Sequence, residues 1–354
     1  MNKQTPFGLI STIEVPFALS AKGSCWTKDG VLLANYVYAE EGNFSPYKLV
    51  YAIVDAEGKV KEQEEDKGVL PSLFLNPKGE NYVSVVTLDE EENTISLPIF
   101  NPSAEAFKGT KSFNGRFVGC TEHSSIFYDV DIWDEKKPDV MFVLKFEGDK
   151  IVKEQKVTIP FPKGNKVSVY NGKINLITEI EDGWLHREID EQGNEVKRRV
   201  LEFDFPFVHE ALSLSFDKNS YLLCEENGEI GIVEIDKEGN SMYGDLHNIG
   251  DEFFGTWHPV ALDDTTNAVQ FTTEFGNGWL VIKDDELIEL FYNKNKKGYT
   301  NLLTKEVLSI DNNDLVLSSL SKVGNDNTLG IVFYPRKQRK EKYNKLFVLQ
   351  HKIG

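Results

Sequence analysis

Short apolar runs recur along the whole chain, each closed by a cluster of Gly, Asn or Asp and followed by a more polar run. "YKLVYAIVDAEGKVKEQ" (47–63), "DVMFVLKFEGDKIVKEQ" (139–155), "GWLHREIDEQGNEVKRR" (183–199) and "GEIGIVEIDKEGNSMYG" (228–244) are variants of one unit. Each reads as a hairpin, an apolar strand returning as a polar one through a tight turn. Taking the last apolar residue before each turn as a marker gives Val54, Phe100, Phe146, Ile189, Ile235 and Ile282, at intervals of 46, 46, 43, 46 and 47 residues. Earlier in each unit stand two more strand patterns, such as "VSVY" and "KINLITEI" around an Asn-Gly turn, or "LSLSF" and "SYLLCE" around "DKNS". Four short strands repeating about every 40–50 residues is the pattern of a β-propeller.

The expected fold is therefore all-β: a seven-bladed β-propeller with four-stranded antiparallel blades, forming one domain over 1–354. Blades are expected at roughly 17–64, 69–110, 115–160, 165–205, 208–249, 254–292 and 299–354. Three crossings between units share a Pro-Phe pair, in "EVPFALS", "TIPFPKG" and "FDFPFVHE". Proline ends a ladder because it has no N–H to donate, and the Phe after it is expected to pack between neighbouring sheets. The first of these crossings lies near the N-terminus. Residues 8–16 are thus expected to add an outer strand to the last blade, closing the ring by pairing the N- and C-terminal strands. By period, 329–334 fits strand three of that blade and 345–353 strand four; alternatively 345–353 is strand three and 329–334 lies in an insertion. Two β-sandwiches in tandem would also explain short strands, but not a constant period running across the midpoint.

Composition supports strands, with 23 Phe and 13 Tyr, and the formal net charge of −18 argues against nucleic-acid or anionic-membrane partners. Cys25, Cys120 and Cys224 have no metal or redox spacing and read as buried free thiols. The N-terminus lacks the apolar stretch of about 7–15 residues that marks a secretory signal. No apolar run approaches the ~18 residues of a membrane helix. The expected location is cytoplasmic, unless a leader precedes the chain, with no membrane insertion.

The repeats carry no Gly-His…Trp-Asp pairing, no kelch-type double glycine and no S-x-D-x-G-x-x-W box, so the pattern gives an architecture without a family. "HEALS" (209–213) opens like a zinc-protease helix but has Ser213 where the second imidazole would stand. No cofactor, metal set or catalytic residue is expected. Three features remain as candidates. The crossing "DEFFGTWHP" (251–259) gathers Phe253, Phe254, Trp257 and His258, and His209 and Glu210 stand in the preceding crossing. Turns such as "EDG" (181–183), "EENG" (225–228) and "EFGNG" (274–278) are acidic and would emerge on the same face as the crossings. Against this background "RKQRKEKYNK" (336–345), with Arg336, Lys337, Arg339 and Lys340, is a basic tip suited to an acidic partner.

The function expected is a non-catalytic binding or scaffold protein that engages a protein partner through its loop faces. The alternative is a carbohydrate-active enzyme or glycan-binding propeller. There Trp257 would stack on a sugar at the central channel mouth, with His209, His258, Glu210 or Glu225 nearby to handle protons.

Overall fold

The recurring apolar–Asp–x–x–Gly signal folds into a self-locking loop. In the two copies at 190–194 and 236–240, the Asp carboxylate takes both the backbone N–H and the side-chain amide of the Asn four residues on. The distances are 2.8 and 2.9 Å for Asp190–Asn194, and 2.8 and 2.8 Å for Asp236–Asn240. The glycine is required: Gly193 has φ +84°, and a Cβ there would lie 2.6 Å from Val157 Cγ1. Four of the six sequence markers, Val54, Phe146, Ile189 and Ile282, stand where the register slips just before the turn. An extra residue on the returning strand forms a β-bulge, which leaves Val152 and Val196 exposed on the outer strand. The period read from the sequence is the period of this bulged turn.

The structure, a computed structural model, describes residues 2–15, 23–27, 30–37, 48–54, 60–67, 69–78, 81–89, 94–96, 99–100, 116–129, 137–148, 150–201, 207–256, 259–295, 298–308, 310, 315–323, 327–335 and 344–354. For the strands within 13–75 and 81–116 the description is of backbone pairing. Among these residues the protein is all-β, with no helix. No helix long and apolar enough to cross a membrane is found there. The strands form antiparallel sheets in chain order. The first spans 23–67, the second 69–100, the third 116–158, the fourth 166–201, the fifth 207–248 and the sixth 253–308. The last is built from 315–352 with the two N-terminal strands.

The arrangement is that of a β-propeller, and the expectation of seven equal blades in a closed ring is met in part. Four sheets (first, third, fourth and fifth) have a core of four consecutive strands in simple meander order. The described residues thus carry four complete blades rather than seven, and no closed ring. In the second sheet Thr94–Ser96 and Ile99–Phe100 both pair with Asn81–Asp89. The sixth sheet continues past its fourth strand into Tyr299–Asn301 and Val307–Leu308. Residue 299, read from sequence as the start of the last blade, therefore belongs to the sixth sheet, and the last begins at Leu315. This added hairpin also displaces the period: Thr328–Pro335 is the second strand there and Asn344–Lys352 the third. Gly8–Val15 pairs outside it, from Leu9↔Gln350 to Val15↔Asn344, and Asn2–Thr5 adds a fifth strand.

Successive sheets are pinned by buried polar groups as well as apolar packing. Between the third and fourth, Arg187 is 1% exposed and donates to the carbonyls of Pro160 (2.9 Å) and Pro162 (3.2 Å) and to Asn165 Oδ1 (2.7 Å). Asn165 in turn donates to Asp139, which also accepts from the Tyr128 hydroxyl and the Gly164 N–H. Between the fourth and fifth, the His186 ring stacks on Phe216 at 4.1 Å, its Nε2 donating to Asn175 and its Nδ1 accepting from Arg199 Nε within the fourth sheet. Arg199 donates across the seam to the carbonyls of Ser215 (3.2 Å) and Lys237 (2.8 Å). Between the sixth and the last, Trp279 stacks on Phe291 at 4.5 Å and meets Phe333 and Tyr299. Ile10 of the N-terminal strand joins the same core.

His186 makes acid stability measurable at one seam. Burial, reinforced by the Arg199 charge, holds its imidazole down at about 3 against an ordinary 6.5. As pH falls from 6.5 towards 3 the unfolded chain takes up a proton that the folded chain refuses, so stability is lost across that window. Denaturant titrations between pH 6 and 5 should show a wild-type loss steeper than that of His186→Gln by about 1.4 kcal/mol per pH unit. Equal slopes would mean that the imidazole is not held neutral at this seam.

Candidate functional site

In each complete meander the chain enters the first strand from a crossing and returns to that same face at the turn between strands two and three. The crossings and the acidic turns therefore share one rim. The structure puts aromatic rings there and leaves them bare. Phe207 is 66% exposed, Phe254 86%, Phe161 57% and Phe275 49%. For Phe161 and Phe207 this corrects the sequence expectation, since the Phe of the Pro-Phe pair does not pack between sheets. The physical reason lies in the crossing. Arg187 occupies the space under 160–162, and the seam beneath Phe207 is already filled by His209 and Phe253. Phe17 of the first Pro-Phe pair lies outside the described residues.

Local backbone irregularity positions the site. The register slips between Val208 and Glu210, and again between Phe253 and Gly255. His209 and Phe254 are thus the extra residues of bulges at the start of successive inner strands. Phe254, the extra residue, points away from Phe253 at the rim end of its strand and stands exposed while Phe253 is buried. Phe253 stacks on Phe271 at 4.7 Å and belongs to the core. His209 lies edge-on between Phe207 (4.8 Å) and Phe253 (5.0 Å), with Nε2 3.2 Å from Glu225 Oε2. Burial lowers its pKa, against the pull of the Glu225 hydrogen bond, so the ring is neutral at pH 7 and donates through Nε2. Glu225 also accepts the Gly228 N–H (2.8 Å), and Glu210 accepts the Thr256 hydroxyl across the seam (2.8 Å).

His209, Glu210 and Phe253 thus hold the rim, and Phe254 and Phe207 are presented on it. Trp257 and His258 lie outside the described residues, as do Arg336, Lys337, Arg339 and Lys340. Two rim rings already carry cations: Lys166 Nζ sits 5.7 Å from the Phe207 centroid and Lys294 Nζ 5.8 Å from that of Phe275. Among the described residues none is recorded over Phe254. The neighbouring exposed charges are mostly acidic, Glu226, Glu252 and Glu274 on the fifth and sixth sheets and Glu181 and Asp182 on the fourth, with the exposed Lys294 paired to Asp251. Among the described residues no three His, Cys, Asp or Glu side chains converge as a metal set. The chemistry of this rim is apolar contact and attraction of cations. Sequence reasoning missed Phe161 and Phe207 by applying the rule that large aromatics go inside. The available signal was that both directly follow a crossing proline, Phe161 beyond a fourth strand and Phe207 as the first residue of an inner strand.

No family model matches the chain, and no curated protein matches it. Solved structures match over most of its length. A functionally unknown protein from Desulfotomaculum acetoxidans is 12% identical over 78% of this chain and 84% of that one, with a TM-score of 0.45. The WD40 domain of Toxoplasma gondii coronin is 8% identical over 96% and 86%, at 0.44. Prolyl oligopeptidase B from Galerina marginata is 8% identical over 90% of this chain, at 0.49, and the chain spans about half of that protein's length (47%). All three scores fall below 0.5, and nothing about this chain's function follows from them.

Proposed function

We propose that the sheets form one seven-bladed ring, closed by the pairing of 8–15 with 344–350, and that its aromatic, acidic rim is a docking surface for a protein partner. Two observations support the ring. Inner strands of successive sheets lie against one another in chain order, and Leu315–Val323 of the last lies against Gly23–Thr27 of the first. The observation that carries the function is the exposure of Phe161, Phe207 and Phe254 at successive crossings. Large exposed rings grouped on one face mark interaction sites, whereas single scattered ones do not. With acids between the rings and a net charge of −18, the fitting partner is an extended segment bearing Lys or Arg among apolar residues.

Panning a peptide library against the protein tests this. Peptides that pair basic with apolar or aromatic residues should be enriched, and their binding should weaken with salt. The triple variant Phe161→Ser/Phe207→Ser/Phe254→Ser should lose about 100-fold in affinity, near 2.7 kcal/mol. Its stability should change by less than about 0.5 kcal/mol per site, because the rings are exposed. Peptides that bind the triple variant equally well, or enrichment only of sugars on a parallel glycan array, would refute the proposal.

A further inference from the structure

His351, on the third strand of the last sheet, is nearly buried (5% exposed) and reaches two partners from different parts of the chain. Its Nδ1 is 2.5 Å from the Phe7 carbonyl, in the turn between the two N-terminal strands. Its Nε2 is 2.8 Å from both carboxylate oxygens of Glu289, on the sixth sheet. A carbonyl and a carboxylate only accept hydrogen bonds, so a neutral imidazole, with one N–H, can satisfy one of them and sets a lone pair against the other. We propose that His351 is an imidazolium clasp, fastening the N-terminal hairpin to the seam between the sixth and last sheets and releasing it when the ring loses a proton.

The surroundings favour that charge. The N-terminal turn, Thr5 to Gly8, carries no ionisable side chain. The neighbouring strand Thr328–Pro335, where Leu329 pairs with His351, has Tyr334 as its one titratable group, five residues from the pairing point. On His351's own strand Lys352 points to the opposite face and is exposed. The charge set against the imidazole is that of Glu289, on the strand Glu286–Lys294. Burial alone would lower the imidazole's pKa, but the hydrogen bond to Glu289, the Glu289 charge and the bond to the Phe7 carbonyl together outweigh it and raise it above the ordinary 6.5. The rings of Phe7 and Phe291 stand 6.2 and 6.3 Å away and wall off the site. Stability from this clasp is fully present below pH 6.5 and is lost as pH rises through the folded value. On deprotonation the Glu289 bond keeps the remaining proton on Nε2, and the bare Nδ1 faces the Phe7 carbonyl.

Imidazole nitrogen NMR on the selectively labelled full chain reads the charge directly. At pH 5.5 both His351 nitrogens should show protonated shifts, and the midpoint of the titration should fall above pH 6.5. Protection factors of amides in 2–12, corrected for intrinsic exchange, should drop at least several-fold over the same pH interval, while those of 166–201 hold. In His351→Gln, whose amide donates to one partner only, that pH-dependent drop should vanish. A His351 titration midpoint at or below pH 6.5, or N-terminal protection indifferent to that titration, would overturn the proposal. The wild-type titration decides it even where the variant does not fold.

Discussion

Replacing Arg187 by methionine should cost about 3–5 kcal/mol of stability, although methionine fills much of the same volume. The guanidinium is almost fully buried and is the donor to the Pro160 and Pro162 carbonyls, which belong to a crossing with few donors of its own. Removing it leaves the Pro160 carbonyl dry, leaves Pro162 with the longer bond from Asn165 (3.3 Å), and takes a balancing positive charge away from buried Asp139. Lysine should recover little, because one ammonium cannot span the carbonyls and Asn165 as the planar fork does. Denaturant titration checks this, with a lower midpoint expected at an unchanged slope. A loss below about 1 kcal/mol would mean that water or a neighbouring side chain takes over the carbonyls. The variant should also weaken peptide binding at the rim, because Phe161 stands on the crossing that Arg187 holds.

Trp279→Ala should be comparably severe, about 3–5 kcal/mol, for a different reason. Trp279 is fully buried, stacked on Phe291 and in contact with Phe333, so its loss opens a cavity where the sixth and last sheets meet. The indole N–H has no hydrogen-bond partner among the described residues. Trp279→Phe should therefore cost markedly less than volume alone suggests, since it removes a buried donor without breaking a bond. Denaturation of both variants separates the terms. A Phe variant as unstable as the Ala variant would show that the indole nitrogen is satisfied and that packing is not the main loss.

The repeating turn was legible because it is local. Asp190 to Asn194 and Asp236 to Asn240 close on themselves, so four or five letters encode the whole geometry. Pairing of the terminal strands was legible too, through the match between "EVPFALS" and later strand endings. The extra hairpin at 299–308 was not, because its pairing to 286–294 depends on neighbours rather than on turn chemistry, and it displaced the period that had located every earlier unit. At the site, His209 and Phe254 were singled out on residue type, but their roles follow from bulges that no local pattern announced. Phe253 and Phe254 are identical letters, and their place at the start of a bulged strand, not their type, makes one core and the other exposed. The seams were least visible of all: Arg187 and His186 stand in the apolar strand of their hairpin, and the Pro160 and Pro162 carbonyls and the Phe216 ring that they meet are distant in sequence.

Hydrogen exchange on the protein with and without a rim-selected basic, apolar peptide tests the central claim most directly. The account predicts new protection at 160–166, 207–210 and 252–256, with the opposite-face turns 190–194 and 236–240 unchanged. Protection confined to those opposite turns or to the outer strands, with the three crossings untouched, would contradict it.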